Sequence, residues 1–349
     1  MKKIQRFTFL VNDRCNLHCA YCFCGVERTG HEMAEETVAR SLRFIGNETE
    51  RLGTRAAITM TGGEVSLSPS VLEGIMAGSG SDWLLRITTN GYAFSDAFWK
   101  AILPYRERLH VTVSYDGLFQ DRRGVGTRER VEENIRKLLS EGCSVSLSWT
   151  TTPDTIASLF TNIRQLYAFG RDVRAKRNCL HNLWGAHPDY LSGLERELDA
   201  FVSFMAFTRV RDGSFISAPN KIESGLDLRC PGRQGTFSCQ TGLVHNVVID
   251  SHGGLFPCEV CAANGVLRLG DIWNGYDEPL HTEFVNAVFP EAGEHNNVCV
   301  YCNQIKNGDF RDTTGCLNDK ADRLLFAKRG KLHRQTRAFE NLKRAYGHV

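Results

Sequence analysis

Residues 14–25 read RCNLHCAYCFCG and place four cysteines directly behind an apolar run that ends at Val11. Cys15, Cys19 and Cys22 keep the spacing C-x3-C-x2-C, and Cys24 falls outside it. Two metal chemistries compete for such a loop. Structural zinc takes four protein ligands, commonly as two separated pairs, and Cys24 offers a fourth thiolate. An iron–sulfur cluster held by three thiolates leaves one iron open to a ligand from outside the protein. A second group, Cys239, Cys258, Cys261, Cys299, Cys302 and Cys316, lies late in the chain, with Cys230 just outside it. Thirteen cysteines is an odd number, and no export signal precedes them. Clustered thiols without such a signal point to metal ligands in a reducing cytoplasm rather than to disulfides. Cys143 and Cys179 stand alone beside apolar residues and read as buried thiols.

These residues need elements to hold them. FTFLV (7–11), AAITM (56–60), LLRIT (84–88), HVTVS (110–114) and SVSLSW (144–149) predict strands, and DVRAKR (172–177) a sixth. Helical periodicity falls between them near 34–52, 68–77, 94–103, 128–141 and 155–168, and again at 194–207. Strands alternating with helices of this length predict βα units and a mostly parallel sheet. Right-handed crossovers then gather the loops that follow the strands on one rim, where such folds keep their chemistry. The cysteine loop follows the first strand, TGGE (61–64) the second, TTNG (88–91) the third and SYDG (114–117) the fourth. Zinc alone gives no reason for those loops to share a rim.

With these motifs in order, the chain resembles the radical S-adenosylmethionine (SAM) superfamily over residues 7 to about 150. Tyr21 is the aromatic residue before the last cysteine of its motif, and SYDG followed by DRRGVGT resembles the SxDG…RG.GT stretch of its peptide- and sulfatase-maturing members. The resemblance implies a [4Fe–4S] cluster on Cys15, Cys19 and Cys22 whose open iron binds SAM. Gly62, Gly63 and Glu64 would then receive the SAM amino group, Ser114 and Arg123 its carboxylate, and Tyr21 and Asn90 would line the same site. Val65 stands where the family usually has proline, and a short spacer leaves Arg122 as the lesser alternative to Arg123. The implied fold is α/β, a partial (β/α)6 barrel over 1–212. Gly-, Ser- and Pro-rich residues 211–236 mark the boundary to a small cysteine-rich domain over 213–317, and a basic helical tail occupies 318–349.

The second cysteine group resembles the SPASM or twitch auxiliary domain through Cys239-x13-Gly253-x4-Cys258. Alternation in HNVVID and GLFP predicts a hairpin there. Cys239, Cys258, Cys299 and Cys302 have the spacing for one auxiliary [4Fe–4S] cluster, and Cys316 follows at the distance seen in a relative that leaves an iron open. One cluster with spare thiols, two clusters, or a cluster plus a redox thiol all fit seven cysteines, and a zinc ribbon is the plainer alternative. Glu259 is placed by the resemblance to take a proton from substrate, a surface carboxylate being the commoner fate of a Glu; Cys261 and Cys24 could each donate a hydrogen atom to a substrate radical, and a buried thiol is the alternative for both. Peptide side chains are the favoured substrate class, amino sugars or nucleotides the alternative, and a flavodoxin- or ferredoxin-type protein the electron donor. The net charge of +2 exerts no global pull toward nucleic acid, and no apolar run is long enough to span a bilayer. The last thirty residues carry nine Lys or Arg, read as a solvated helix face.

Overall fold

The computed structural model describes residues 4–22, 29–152, 154–166, 169, 174–179, 190–212, 246–288, 334–341 and 344. Six strands follow the chain in order: β1 (Ile4–Leu10), β2 (Arg55–Thr61), β3 (Leu84–Thr89), β4 (Leu109–Ser114), β5 (Ser144–Thr151) and β6 (Arg174–Cys179). Each pairs in parallel with the next. Six helices alternate with or follow them: α1 (Glu35–Arg51), α2 (Pro69–Gly78), α3 (Asp96–Ile102), α4 (Arg128–Ser140), α5 (Leu159–Leu166) and α6 (Tyr190–Asp212). The result is the expected α/β architecture, a partial (β/α)6 barrel. Strand β1 opens at Ile4, three residues before the apolar run suggests. Its early residue Gln5 is buried and accepts a hydrogen bond from Thr54 Oγ1 at 3.5 Å, so a polar side chain masks the strand's start. The sixth strand lies two residues later than expected, and α6 runs further at both ends.

The helices begin and face inward for local reasons. Pro69 opens α2, where its missing N–H costs nothing. Ser95 caps α3 by accepting the Phe98 N–H at 3.1 Å. Val38, Ser41, Ile45 and Thr49 recur at helical spacing and form the buried face of α1. Phe7, Phe9, Ile58, Met60, Ile87, Val111 and Val113 fill the space between sheet and helices. Burying each such large side chain contributes about 1.5–3 kcal/mol before conformational entropy is subtracted.

The chain then returns to the sheet. Strand β7 (Asn246–Ile249) adds in parallel to the free side of β1, and β8 (Gly254–Phe256) folds back on it as the expected hairpin. The short strands β9 (Gly270–Asp271) and β10 (Gly275–Tyr276) complete a ten-stranded sheet ordered β10-β9-β8-β7-β1-β2-β3-β4-β5-β6. Helix α7 (Glu259–Ala263) follows β8, and α8 (Glu278–Val288) follows β10. In the hairpin turn, Asp250 Oδ1 accepts the N–H groups of His252 and Gly254 at 2.9 and 2.7 Å. Gly253 has φ +80°, and a Cβ there would lie 2.4 Å from the Trp273 ring, which explains the glycine between Cys239 and Cys258. Residues 334–341 are helical and pack on α6, with Phe339 edge-on to Phe207 and Gln335 Nε2 donating to Ser203 Oγ at 2.9 Å. No helix among the described residues is long and apolar enough to cross a membrane.

Candidate active site

All four loops named from the sequence meet at the C-terminal ends of β1 to β4. Their closest joint lies between the first two. Gly63 N donates to Asn12 O at 2.9 Å and Glu64 N to Arg14 O at 2.6 Å, so TGGE is stitched to the chain just before Cys15. A Cβ on Gly62 would lie 2.5 Å from Asn12 O, and one on Gly63 would lie 2.1 Å from Arg14 O. The glycines therefore let the cysteine loop come close, an approach any side chain would block. Asn12 completes the joint: its Nδ2 donates to Glu64 O at 2.9 Å and to Ser68 Oγ.

Glu64 is 1% exposed, and its carboxylate reaches sideways into the β3 loop. Oε1 accepts from Thr89 Oγ1 and from Ser66 N at 2.9 Å; Oε2 accepts from Asn90 N at 2.6 Å. Burial pushes its pKa up, and these three donors oppose the rise. The side chain thus ties the second loop to the third. Asn90, itself buried, accepts the Tyr92 N–H at 2.9 Å with Oδ1. Its Nδ2 donates to Asn16 Oδ1 at 2.7 Å and toward Cys15 Sγ at 3.8 Å.

The fourth loop closes the other side. Asp116 is 1% exposed, and both its oxygens are occupied. Oδ1 accepts from Thr150 N at 3.1 Å and Arg123 Nη2 at 3.3 Å; Oδ2 accepts from Arg122 Nη2 at 3.4 Å and from the Tyr21 hydroxyl. The Tyr21 ring lies against both guanidiniums, at 4.9 Å from Arg122 and 5.4 Å from Arg123. Burial raises the Tyr21 pKa; Arg123 opposes that, and Asp116 adds to it. Arg122 is turned outward to Thr150 O, Thr152 Oγ1 and Asp154 Oδ2. Arg123 is buried and faces the cysteines, with Nη1 3.9 Å from Cys19 Sγ. Its Nε lies 3.3 Å from Asp116 Oδ1 but without hydrogen-bond alignment, and it has no other acceptor. Ser114 stands half-buried at the end of β4.

Cys15, Cys19 and Cys22 are all half-exposed on this rim. Burial raises the Cys19 pKa, Arg123 pulls it down, and Cys22, Cys15 and Asp116 push it further up. A thiol whose ionisation is hindered in this way favours a cationic centre that takes it as the thiolate. Among the described residues no three His, Cys, Asp or Glu are grouped as around a single metal ion. The residues present fit the two groups the resemblance implies. Three accessible thiols suit a cluster with an open iron, and the buried guanidinium of Arg123, in contact with Cys19, suits the carboxylate of its ligand.

The second cysteine group is represented by Cys258 and Cys261; Cys24, Cys230, Cys239, Cys299, Cys302 and Cys316 lie outside the described residues. Cys258 Sγ accepts the Cys261 N–H at 3.3 Å and caps α7. Both thiols are buried with Val248 and Phe256, and Leu10 at the end of β1 packs on them. This places Cys258 beside the root of the first cysteine loop. Glu259 keeps contact with solvent while protein crowds its other sides, and that desolvation raises its pKa.

Asn12 and Asp116 went unassigned in the sequence. Asp116 lies inside SYDG and is visible there as a motif position, whereas Asn12 carries no local signal because its partners are about fifty residues away. Comparison with known proteins bears on the family and the fold. Residues 9–156 match the radical SAM superfamily model. No curated protein sequence shows significant similarity to the chain. Among solved structures, native anSMEcpe with bound AdoMet and Cp18Cys peptide superposes with a TM-score of 0.72 at 16% identity, covering 98% of this chain and all of that one. SuiB of Streptococcus suis bound to its precursor peptide SuiA gives 0.64 at 16% identity, over 91% of this chain and 76% of that one. At such identities the likeness is one of fold, and it runs well beyond the barrel. The chain is thus similar to the radical SAM superfamily over residues 9–156, the stretch that includes the loop of Cys15, Cys19 and Cys22.

Proposed function

We propose that the protein is a radical SAM enzyme that modifies a side chain of a peptide or protein. In this reading Cys15, Cys19 and Cys22 hold a [4Fe–4S] cluster, and SAM lies across the rim. When bound, these two groups supply a 5′-deoxyadenosyl radical able to take hydrogen from an unactivated C–H bond. The chain's own residues bind and orient. Arg123, assisted by Ser114, takes the SAM carboxylate, and the Gly62–Gly63 backbone borders its amino group. Tyr21 and Asn90 line the site. Glu64 acts chiefly as a positioning residue, because its carboxylate is occupied by the third loop. The observation that carries the reading is Arg123, a buried guanidinium whose Nη1 lies 3.9 Å from Cys19 Sγ, in the loop that carries the three accessible thiols.

Cys239, Cys258, Cys299 and Cys302, with Cys316 as a further candidate, would form at least one auxiliary [4Fe–4S] cluster in a SPASM- or twitch-like segment over 213–317. A flavodoxin- or ferredoxin-type protein would deliver electrons. Glu259, crowded yet wet, is the candidate base for a substrate proton. Cys261 is sealed in an apolar pocket and would need that pocket to open before giving up a hydrogen atom. The peptide assignment is supported by fold likeness to two proteins whose structures hold peptides.

Anaerobic reconstitution with iron and sulfide, followed by iron counting and a 5′-deoxyadenosine assay, tests the chemistry. Wild type should form deoxyadenosine, and the Cys15/Cys19/Cys22→Ala variant should form none while losing about four irons and keeping about four or more. Zinc in place of iron, with SAM uncleaved, would overturn the reading. Mass spectrometry of peptides, amino sugars and nucleotides incubated with the enzyme tests the substrate class; a mass change confined to the small molecules would refute the peptide assignment.

A further inference from the structure

We infer that Asn90 and Arg123 set the reduction potential of the centre on Cys15, Cys19 and Cys22 by donating N–H groups to two of its sulfurs. The inference rests on the proposed cluster. Asn90 Nδ2 points to Cys15 Sγ at 3.8 Å and Arg123 Nη1 to Cys19 Sγ at 3.9 Å, both within reach of a hydrogen bond to sulfur.

The amide orientation is fixed by its neighbours. Tyr92 N–H is a donor and needs Asn90 Oδ1; Asn16 Oδ1 is bonded on the other side, so Nδ2 must face the sulfur. Arg123 has donors only. Neither group is free to turn away. Asn90 is held through its backbone N–H by Glu64 Oε2, and Asn134 Nδ2 holds the next carbonyl, Gly91 O, at 2.8 Å. Arg123 is held by Asp116. The loops after the third and fourth strands thus each aim one rigid donor at the first cysteine loop, Glu64 and Asp116 serving as positioning residues.

Thiolate sulfur is a better acceptor than the thiol, so both contacts strengthen once a cluster is bound. The step concerned is a one-electron transfer from a flavodoxin- or ferredoxin-type donor, which is oxidised by one electron; no bond forms or breaks. Added negative charge spreads onto the sulfurs, and the positive ends of two N–H dipoles, one carrying a full charge, stabilise it. The potential is therefore less negative than the same thiolates would give without them. A donor of moderate strength then suffices.

The test uses the reconstituted full-length protein without SAM. A redox titration followed by electron paramagnetic resonance gives the potential of the signal that vanishes in the Cys15/Cys19/Cys22→Ala variant. Deuterium exchange followed by pulsed resonance on that signal reads exchangeable hydrogens near the sulfurs. Wild type should show strongly coupled exchangeable deuterons. Asn90→Asp keeps the acceptor for Tyr92 N–H but loses the donor and should lose part of that coupling with iron content unchanged; Asn90→Ala, which loses the donor without adding a charge, should shift the potential to more negative values. Iron bound in wild type without such coupling, or intact centres with unmoved coupling in Asn90→Asp and unmoved potential in Asn90→Ala, would overturn this inference alone. Wild type that binds no iron at the three cysteines would end the parent reading and this one with it.

Discussion

The two places where described cysteines gather are built from opposite materials. Around Cys15, Cys19 and Cys22 the protein buries Asn12, Glu64, Asn90, Asp116 and Arg123, bonding Asn12 to Glu64, Glu64 to Asn90, and Asp116 to Arg123. Around Cys258 and Cys261 it buries Val248 and Phe256 and packs Leu10 on them. A polar web stabilises negative charge and fixes angles; an apolar pocket excludes water and stabilises neither. Under the proposed function, the first site would orient a charged ligand and accept an electron, which a polar web suits.

That contrast can be broken by mutation, and the largest effect should come from the web. Asp116→Ala strands the buried Arg123 and should destabilise the fold by about 3–5 kcal/mol, read by denaturant unfolding. A loss under about 1 kcal/mol would show that the web is ornamental to stability. Gly63→Ala comes next. Its Cβ would meet the Arg14 carbonyl at 2.1 Å, so the cysteine loop must move, and both iron retention at the first site and deoxyadenosine formation should collapse. Normal iron content in that variant would mean the loops are not coupled as described.

The second region should respond more mildly. Gly253→Ala puts a side chain at φ +80° against Trp273 and should cost about 1–3 kcal/mol, with the first site's iron content unaffected. Cys261→Ala should cost about 1–2 kcal/mol through a small apolar cavity. A cost matching Asp116→Ala would erase the distinction between the regions. The smallest effect concerns acid stability. Burial alone would raise the Glu132 pKa, but bonds from the Tyr115 hydroxyl, Arg128 and Arg136 outweigh it and hold the carboxyl below its ordinary value. Its contribution is present above the ordinary carboxylate range and is lost as pH falls through the depressed value. Wild type should therefore lose slightly more stability than Glu132→Gln between about pH 5 and pH 3; parallel acid limbs would refute this.

Much of the barrel was legible because its signals are local. Apolar runs of strand length, helical stripes such as Val38–Ile45 and the turn after Ile249 depend on neighbours a few residues away. The thiol spacing of the first site is likewise written along the chain. What was misread at the edges, such as the start of β1 or the sixth strand, reflects polar residues taken into the sheet by distant partners. The role of Glu64 was legible only as a motif. Its sideways reach to Thr89 and Asn90 depends on how β2 and β3 stand side by side.

The amino-acid sequence by itself determined the order of strands and helices, the loop that carries three spaced thiols, and the hairpin that precedes Cys258. Backbone periodicity and covalent spacing suffice for these. Only the tertiary structure decided that Gly62 and Gly63 make room for the cysteine loop rather than for a ligand alone, and that Asp116 holds Tyr21 and both arginines. It also decided that β7, some 240 residues along, docks beside β1, with Cys258 and Cys261 in a cluster on which Leu10 at the end of β1 packs. Those outcomes turn on sheet order and on buried polar groups finding partners far along the chain. No local pattern encodes that choice, because each partner is chemically ordinary until the sheet sets it in place.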